Sequence, residues 1–159
     1  MNFIELLGPV LTLLGGALAA LIPGIGSSRS VGRVGEMAAG VLTEDPTKFG
    51  KLLILQALPG TQGIYGLLTW FMIMLQSGML DGSMDISWQT GFSYLMAALP
   101  IAIVGYYSSK YQGRVAEAGV SLVAKRPEEQ SKALVMSAMV ETYAILALLA
   151  SVLSILQIS

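Results

Sequence analysis

The chain has 159 residues, of which 54% are hydrophobic and only 12% are charged, and its mean hydropathy is +0.69. Soluble domains carry roughly 25% charged residues, so this composition argues against a soluble globular protein. The sequence contains no cysteine and no histidine, which excludes disulfides, thiol nucleophiles, zinc clusters and imidazole acid–base groups. Its net charge of −1 excludes a basic field for nucleic acid.

Four stretches of the sequence are long and apolar enough to cross a membrane as helices. In chain order they are residues 6–28, 52–80 and 86–109, which contain no charge, and residues 133–159, whose single charge is Glu141. A helix needs roughly 20 apolar residues to cross the hydrocarbon core of a bilayer. The sequence therefore predicts an all-α integral membrane protein with four transmembrane helices.

The basic residues predict the orientation of these helices. All nine lie near the connection between the first two helices or between the last two: Arg29, Arg33, Lys48, Lys51, Lys110, Arg114, Lys125, Arg126 and Lys132. Positively charged connections stay on the cytoplasmic side of a membrane. We therefore expect a multi-pass protein of the cell membrane, with both hairpin loops cytoplasmic and both termini external.

The sequence repeats itself at an offset of 81 residues. The segment GIGSSRSVGRVGE from Gly24 aligns with GYYSSKYQGRVAE from Gly105, and Pro46 aligns with Pro127. About a third of the aligned positions between residues 14 and 76 are identical, far more than shared apolar composition would give. The repeat indicates that the chain consists of two copies of one helical hairpin.

The two hairpins are expected to span residues 1–80 and residues 81–159, with two transmembrane helices in each. They are not equivalent, because the position of Glu141 in the second copy is Gly60 in the first. One carboxylate therefore serves two hairpins.

Small residues, interrupted by one glutamate, recur every four positions on the first and third helices. They are Gly24, Ser28, Gly32, Glu36 and Gly40, and in the second copy Gly105, Ser109, Gly113, Glu117 and Ser121. Such stripes let helix backbones approach closely in lipid, either within one monomer or in an inner ring built from many hairpins. The repetition favours the ring. Arg33 and Glu36 are three residues apart, as are Arg114 and Glu117, so we expect ion pairs within each helix.

Glu141 lies inside a predicted membrane helix, where an unpaired charge is costly and a carboxylate usually has a function. Counted from the hairpin prolines at 1.5 Å per residue, Glu141 lies about 21 Å away and Thr61, Gln62 and Gln112 about 23–24 Å away. These side chains offer hard oxygen ligands at one depth, which suit a hard cation. Pro59 lacks an N–H, so helix hydrogen bonding should loosen there and release backbone carbonyls.

Four motifs occur together in this chain, one on each predicted helix. They are GIGSSRSVG, LPGTQGIYG, YQGRVAEAG and, around Glu141, MVETYAIL. In these motifs the sequence resembles the proteolipid that forms the rotor ring of bacterial sodium-translocating V-type ATPases, and the resemblance extends over nearly the whole chain. It implies a non-catalytic, ion-translocating subunit that forms a homo-oligomeric ring and turns against a stator.

The resemblance also implies a sodium site and partners. The implied sodium ligands are Glu141, Gln112, Thr61, Gln62 and the backbone carbonyl of Leu58, with Tyr65 hydrogen-bonded to the carboxylate. The implied partners are further copies of the chain, a stator membrane subunit with an essential arginine, a central-stalk subunit at the cytoplasmic face, and lipids.

Three alternatives stay open at this point. A proton-carrying rotor of the same family needs only Glu141 and makes the amide and hydroxyl oxygens redundant. A small four-helix membrane transporter would also have one buried glutamate, but with a pocket richer in aromatic residues. A purely structural membrane oligomer explains the small-residue stripes and leaves the oxygen cluster unexplained.

Overall fold

The computed structural model describes residues 3–158, and this part of the chain contains helices and no strand. Its α-helices are α1 (Phe3–Glu44), α2 (Phe49–Ala57), α3 (Thr61–Gln76), α4 (Trp88–Lys125) and α5 (Gln130–Leu156). The outermost ends of the two expected hairpins, residues 1–2 and 159, lie outside the described residues.

The predicted all-α fold with four membrane helices is confirmed, with one detail added. By length and composition, Ile4–Glu44, Trp88–Lys125 and Pro127–Leu156 can each cross a membrane. The remaining span is divided by a single 3-10 turn at Leu58–Gly60, which joins α2 to α3. The backbone stays in the right-handed helical region on both sides of that turn, so α2 and α3 form one membrane segment.

Packing places α1 and α4 at the centre of the molecule. These two helices form its most extensive helix–helix contact, while α3 packs mainly on α1 and α5 mainly on α4. One buried cluster includes Ile73, Ile101 and Ile155. A second cluster, nearer the hairpin turns, includes Leu55 and Val120.

The two hairpins turn in the same way and are tied together at that end. Each turn begins with a proline, Pro46 or Pro127, at the start of a single 3-10 turn. The Lys48 ammonium donates to the carbonyl of Ala124 at 2.8 Å, and the Lys51 ammonium donates to the carbonyl of Pro127 at 2.9 Å. The Lys48 ammonium therefore binds a carbonyl in the last turn of α4, where the helix dipole favours positive charge, and the Lys51 ammonium binds the second hairpin turn itself.

The expected ion pair between Arg33 and Glu36 is wrong, and so is the one between Arg114 and Glu117. Arg33 Nε lies 3.7 Å from Glu117 Oε1, so the pair joins α1 to α4. The helix–helix contact brings these side chains together, whereas within residues 3–158 neither Glu36 nor Arg114 has an ion-pair partner.

Candidate functional site

Glu141 lies on α5 at the border between the interior and the outer surface of the bundle. It is half-buried, whereas Tyr143, two residues further along, is 66% exposed and Ala144 is fully buried. The carboxylate is therefore positioned to interact with α3 and α4 on one side and to reach the surface on the other.

Both carboxylate oxygens of Glu141 accept hydrogen bonds from neighbouring helices. The Tyr65 hydroxyl on α3 donates to Oε1 at 2.5 Å, and Gln112 Nε2 on α4 donates to Oε2 at 3.3 Å. Hydrogen bonds to a carboxylate are stronger than those between neutral groups. Three helices therefore fix the orientation of this one side chain.

The network continues inward through Gln62. Its Nε2 donates to Gln112 Oε1 at 2.5 Å and to Ser108 Oγ at 3.2 Å. Both glutamines are 0% exposed. Among the described residues, Gln62 Oε1 has no hydrogen-bond partner although it is buried, and leaving such an acceptor unsatisfied costs about 1–3 kcal/mol.

Thr61 and Leu58 meet at the 3-10 turn that separates α2 from α3. The Thr61 hydroxyl donates to the Leu58 carbonyl at 3.0 Å, and the backbone N–H of Thr61 bonds to the same oxygen. Pro59, which lacks an N–H, lies within the turn, as the predicted loosening of the helix requires.

Hydrogen bonds join four of the six predicted site residues: Tyr65 and Gln112 bond directly to Glu141, and Gln62 is one bond further away through Gln112. Thr61 and Leu58 bond to each other at the 3-10 turn. Their joint role in holding an ion stays a prediction.

Ser108 belongs to this network, although the sequence pattern did not single it out. Its hydroxyl accepts from Gln62 Nε2 and donates to the carbonyl of Val140 at 3.0 Å, directly before Glu141. Ser108 lies four residues before Gln112, on the same face of α4. This spacing of four residues from Gln112 is the sequence signal that could have identified Ser108.

The two positions of the first hairpin that align with Glu141 and Gln112 have no side-chain oxygen. Gly60 aligns with Glu141, and Val31 aligns with Gln112. A Cβ placed on Gly60 would lie 3.4 Å from Val31 Cγ2, so these positions are neighbours, as their counterparts are in the second hairpin. The repeat therefore contains a polar pair, Glu141 and Gln112, in one copy and an apolar pair, Gly60 and Val31, in the other.

Known proteins resemble this chain along most of its length. The family of the ATP synthase C subunit matches residues 14–73 and again residues 95–154. The chain is 46% identical over 149 residues to the V-type sodium ATPase subunit K of Enterococcus hirae, covering 94% of this chain and 92% of that protein. It is 36% identical over 144 residues to the A-type ATP synthase subunit K of Methanocaldococcus jannaschii, covering 91% of this chain and 61% of that protein.

The two family matches begin 81 residues apart, at the offset of the internal repeat. The resemblance inferred from the four motifs is confirmed. The chain therefore belongs to the family of the ATP synthase C subunit, as a non-catalytic membrane component of a rotary ATPase.

Proposed function

We propose that this protein forms a homo-oligomeric rotor ring and carries sodium ions across the membrane on Glu141, while ATP is hydrolysed elsewhere in the complex. Similarity to a V-type sodium ATPase subunit K supports the choice of ion. The observation that carries the proposal is the buried oxygen cluster around one carboxylate, in which Gln62 Oε1 has no hydrogen-bond partner among the described residues.

The charge of the cluster fits a monovalent cation. Glu141 supplies one negative charge, and residues 3–158 contain no group of three or more acidic, histidine or cysteine side chains that could hold a metal ion. Amide, hydroxyl and carbonyl oxygens add ligands without adding charge. A divalent ion here would leave an uncompensated positive charge in a low-dielectric environment, which is strongly unfavourable.

Among monovalent ions, the neutral oxygens favour sodium over a proton. A proton needs only the Glu141 carboxylate, so two fully buried glutamines would be desolvated without benefit. A sodium ion must replace its hydration shell with about five oxygens. The proposed set is Glu141, Gln112, Thr61, Gln62 and the Leu58 carbonyl, with Tyr65 positioning the carboxylate.

The same site explains how the ring would turn. With sodium bound, Glu141 is neutralised and can face lipid. Without the ion, a bare carboxylate in lipid costs several kcal/mol, so it stays in an aqueous access path and pairs with a cation of the stator. An arginine suits that role because it remains charged and forms bidentate bonds with carboxylates.

The positions of the basic residues predict the orientation of the chain in the membrane, and the remaining partners follow from that orientation. The hairpin turns at Pro46 and Pro127 would face the cytoplasm and bind the central stalk, and both termini would lie outside the cell membrane. Lipids would cover the apolar outer surface of α5, on which Met139, Tyr143 and Leu146 are exposed.

Transport by the assembled complex tests this proposal. Purified complex in sealed vesicles should take up radioactive sodium when ATP is added, and a protonophore should not abolish the uptake. Glu141→Gln should abolish it, whereas Asp81→Asn, which changes an exposed carboxylate in the connection between α3 and α4, should not. ATP-driven acidification that needs no sodium would contradict the proposal in favour of a proton rotor.

A further inference from the structure

The aligned small-residue stripes of α1 and α4 have opposite exposures. On α4, Ser109 and Gly113 are buried, and a Cβ on Gly113 would come within 2.6 Å of Ser30 Cβ on α1. On α1, the aligned Ser28 and Gly32 are exposed. A Cβ on Gly32 would meet nothing within 4 Å among the described residues. The α4 stripe thus packs against α1 within the chain, whereas Ser28 and Gly32 of the α1 stripe remain exposed.

The faces that lie opposite these stripes show the reverse pattern. On α1, Gly26 and Ser30 are buried against α4. The aligned residues on α4 are Tyr107 and Tyr111, which are 52% and 49% exposed. They are four residues apart, so they form one ridge along the helix. The chain therefore exposes a ridge of large side chains on α4 and a groove of small ones on α1.

The charges repeat the pattern. Arg33 on α1 pairs with Glu117 on α4 within the chain. At the offset of 81 residues, Arg33 aligns with Arg114 on α4, and Glu117 aligns with Glu36 on α1. Both are exposed, and neither has an ion-pair partner in the part of the chain that the structure describes. The two unused faces thus have complementary shape and complementary charge.

We infer that the α4 ridge of one copy docks into the α1 groove of the next copy, with Arg114 and Glu36 forming an ion pair between them. The expected opposite positions are Tyr107 with Ser28, Tyr111 with Gly32, and Arg114 with Glu36. Each pair is obtained from a contact inside the chain by replacing both residues with the residues that align with them in the other copy of the repeat. The inference rests on the ring of the proposed function and specifies the register of its protomers.

A second copy of this chain is the partner that fits the exposed faces, because the contact between α1 and α4 can repeat from one copy to the next. The step from α1 to α4 within one copy, applied again, leads from α4 to α1 of the next copy. A head-to-tail contact of this kind forms a ring when the rotation closes. Small residues against tyrosines permit the close helix approach that drives association in lipid.

Cysteine cross-linking tests the register, because the natural chain contains no cysteine. Purified Ser28→Cys/Tyr107→Cys protein should, on mild oxidation, give a ladder of covalent multimers on a denaturing gel. A disulfide requires Cα atoms within about 7 Å, so distant pairs should not react. The control is Ser28→Cys/Tyr143→Cys, since Tyr143 lies on the outer surface of α5.

Charge exchange tests the ion pair without removing a tyrosine. Glu36→Arg and Arg114→Glu each place like charges together, so each should lower the temperature at which the ring dissociates in detergent. The double variant Glu36→Arg/Arg114→Glu should recover most of that loss. Glu128→Arg, in the exposed hairpin turn, should have little effect.

The outcomes separate this inference from the proposed function. A ladder above the Tyr143 control, with recovery by the double charge exchange, supports the register. A variant that runs as an intact ring by native mass spectrometry but gives no ladder overturns the register and leaves the rotor intact. A wild-type protein that is monomeric under the same conditions overturns the ring and the register together.

Discussion

Among single residues, Glu141 matters most, and its neighbours determine how it is held. Its two oxygens bond to Tyr65 on α3 and to Gln112 on α4, so the carboxylate is oriented before an ion arrives. Holding a ligand in place beforehand reduces the entropy lost on binding. Tyr65 is proposed to contribute in this way and not as an ion ligand.

We expect Tyr65→Phe to weaken sodium binding about tenfold, because a hydrogen bond to a charged group contributes about 1.5 kcal/mol or more. Titration calorimetry on the isolated ring measures this directly. The control is Tyr143→Phe, which removes an exposed hydroxyl near the site and should leave the affinity unchanged. Equal affinities for both variants would show that the Tyr65 bond is absent when the ion is bound.

Helix depth and the family resemblance selected most residues of the network, but they missed Ser108 and did not describe the bonds. Depth along the helices placed Gln112, Thr61 and Gln62 level with Glu141, because helix rise is constant. It could not reveal that Gln62 bonds to Gln112 and Ser108. Those bonds depend on the distance between helices, which local periodicity does not contain.

Among the helical elements, the 3-10 turn at Leu58–Gly60 distinguishes the second membrane segment. Pro59 cannot donate a backbone hydrogen bond to the carbonyl of Leu55, four residues earlier, and the Leu58 carbonyl bonds to Thr61 on the tighter turn. The proposed sodium site uses both the Leu58 carbonyl and the Thr61 hydroxyl.

Pro59→Ala should restore a donor and allow a regular α-helix through this region. We expect sodium affinity to fall about tenfold, as when outer-shell support of a metal ligand is lost, while the thermal stability of the ring stays the same or rises. Pro100→Ala, inside α4, is the matched control and should not change the affinity. A fall in affinity for both variants would assign the effect to general helix disruption.

The hairpin turns are proposed to be the cytoplasmic docking surface for the stalk. Thr47 and Glu128 are exposed there, and Asp45 beside them accepts hydrogen bonds from Thr47 that hold the pKa of its carboxyl below its usual range. Single cysteines at Thr47 and Glu128 should react with impermeant maleimide from the cytoplasmic side and cross-link to stalk proteins. Reaction from the external side alone would reverse the proposed orientation.

Hydropathy alone predicts the number of membrane helices but not where each helix ends. The charge-free runs end at residues 28 and 109, whereas α1 continues to Glu44 and α4 to Lys125. Hydropathy indicates where the lipid is, while α1 and α4 end where the residue before Pro46 or Pro127 leaves the helical conformation. The interhelix pair of Arg33 with Glu117 was not predicted, because it depends on how these extended ends pack against each other.

The whole molecule consists of two similar hairpins, of which only one contains the carboxylate. Each rotation step past the stator would therefore move a full chain of two hairpins per ion. The number of copies in a ring depends on the small angle between neighbouring copies, which a sequence does not specify. The repeat, by contrast, indicates which faces meet.

Carbodiimide labelling of the purified ring is the sharpest test of sodium binding at Glu141 among neutral oxygens, because the reagent attacks the protonated, ion-free carboxyl. Sodium and protons each neutralise the same carboxylate and should compete for it. Labelling of Glu141 should therefore fall as sodium is added and require more sodium at lower pH. Gln112→Ala should still be labelled but lose most of its sensitivity to sodium. Labelling that does not respond to sodium at any pH would contradict sodium binding and show a proton rotor.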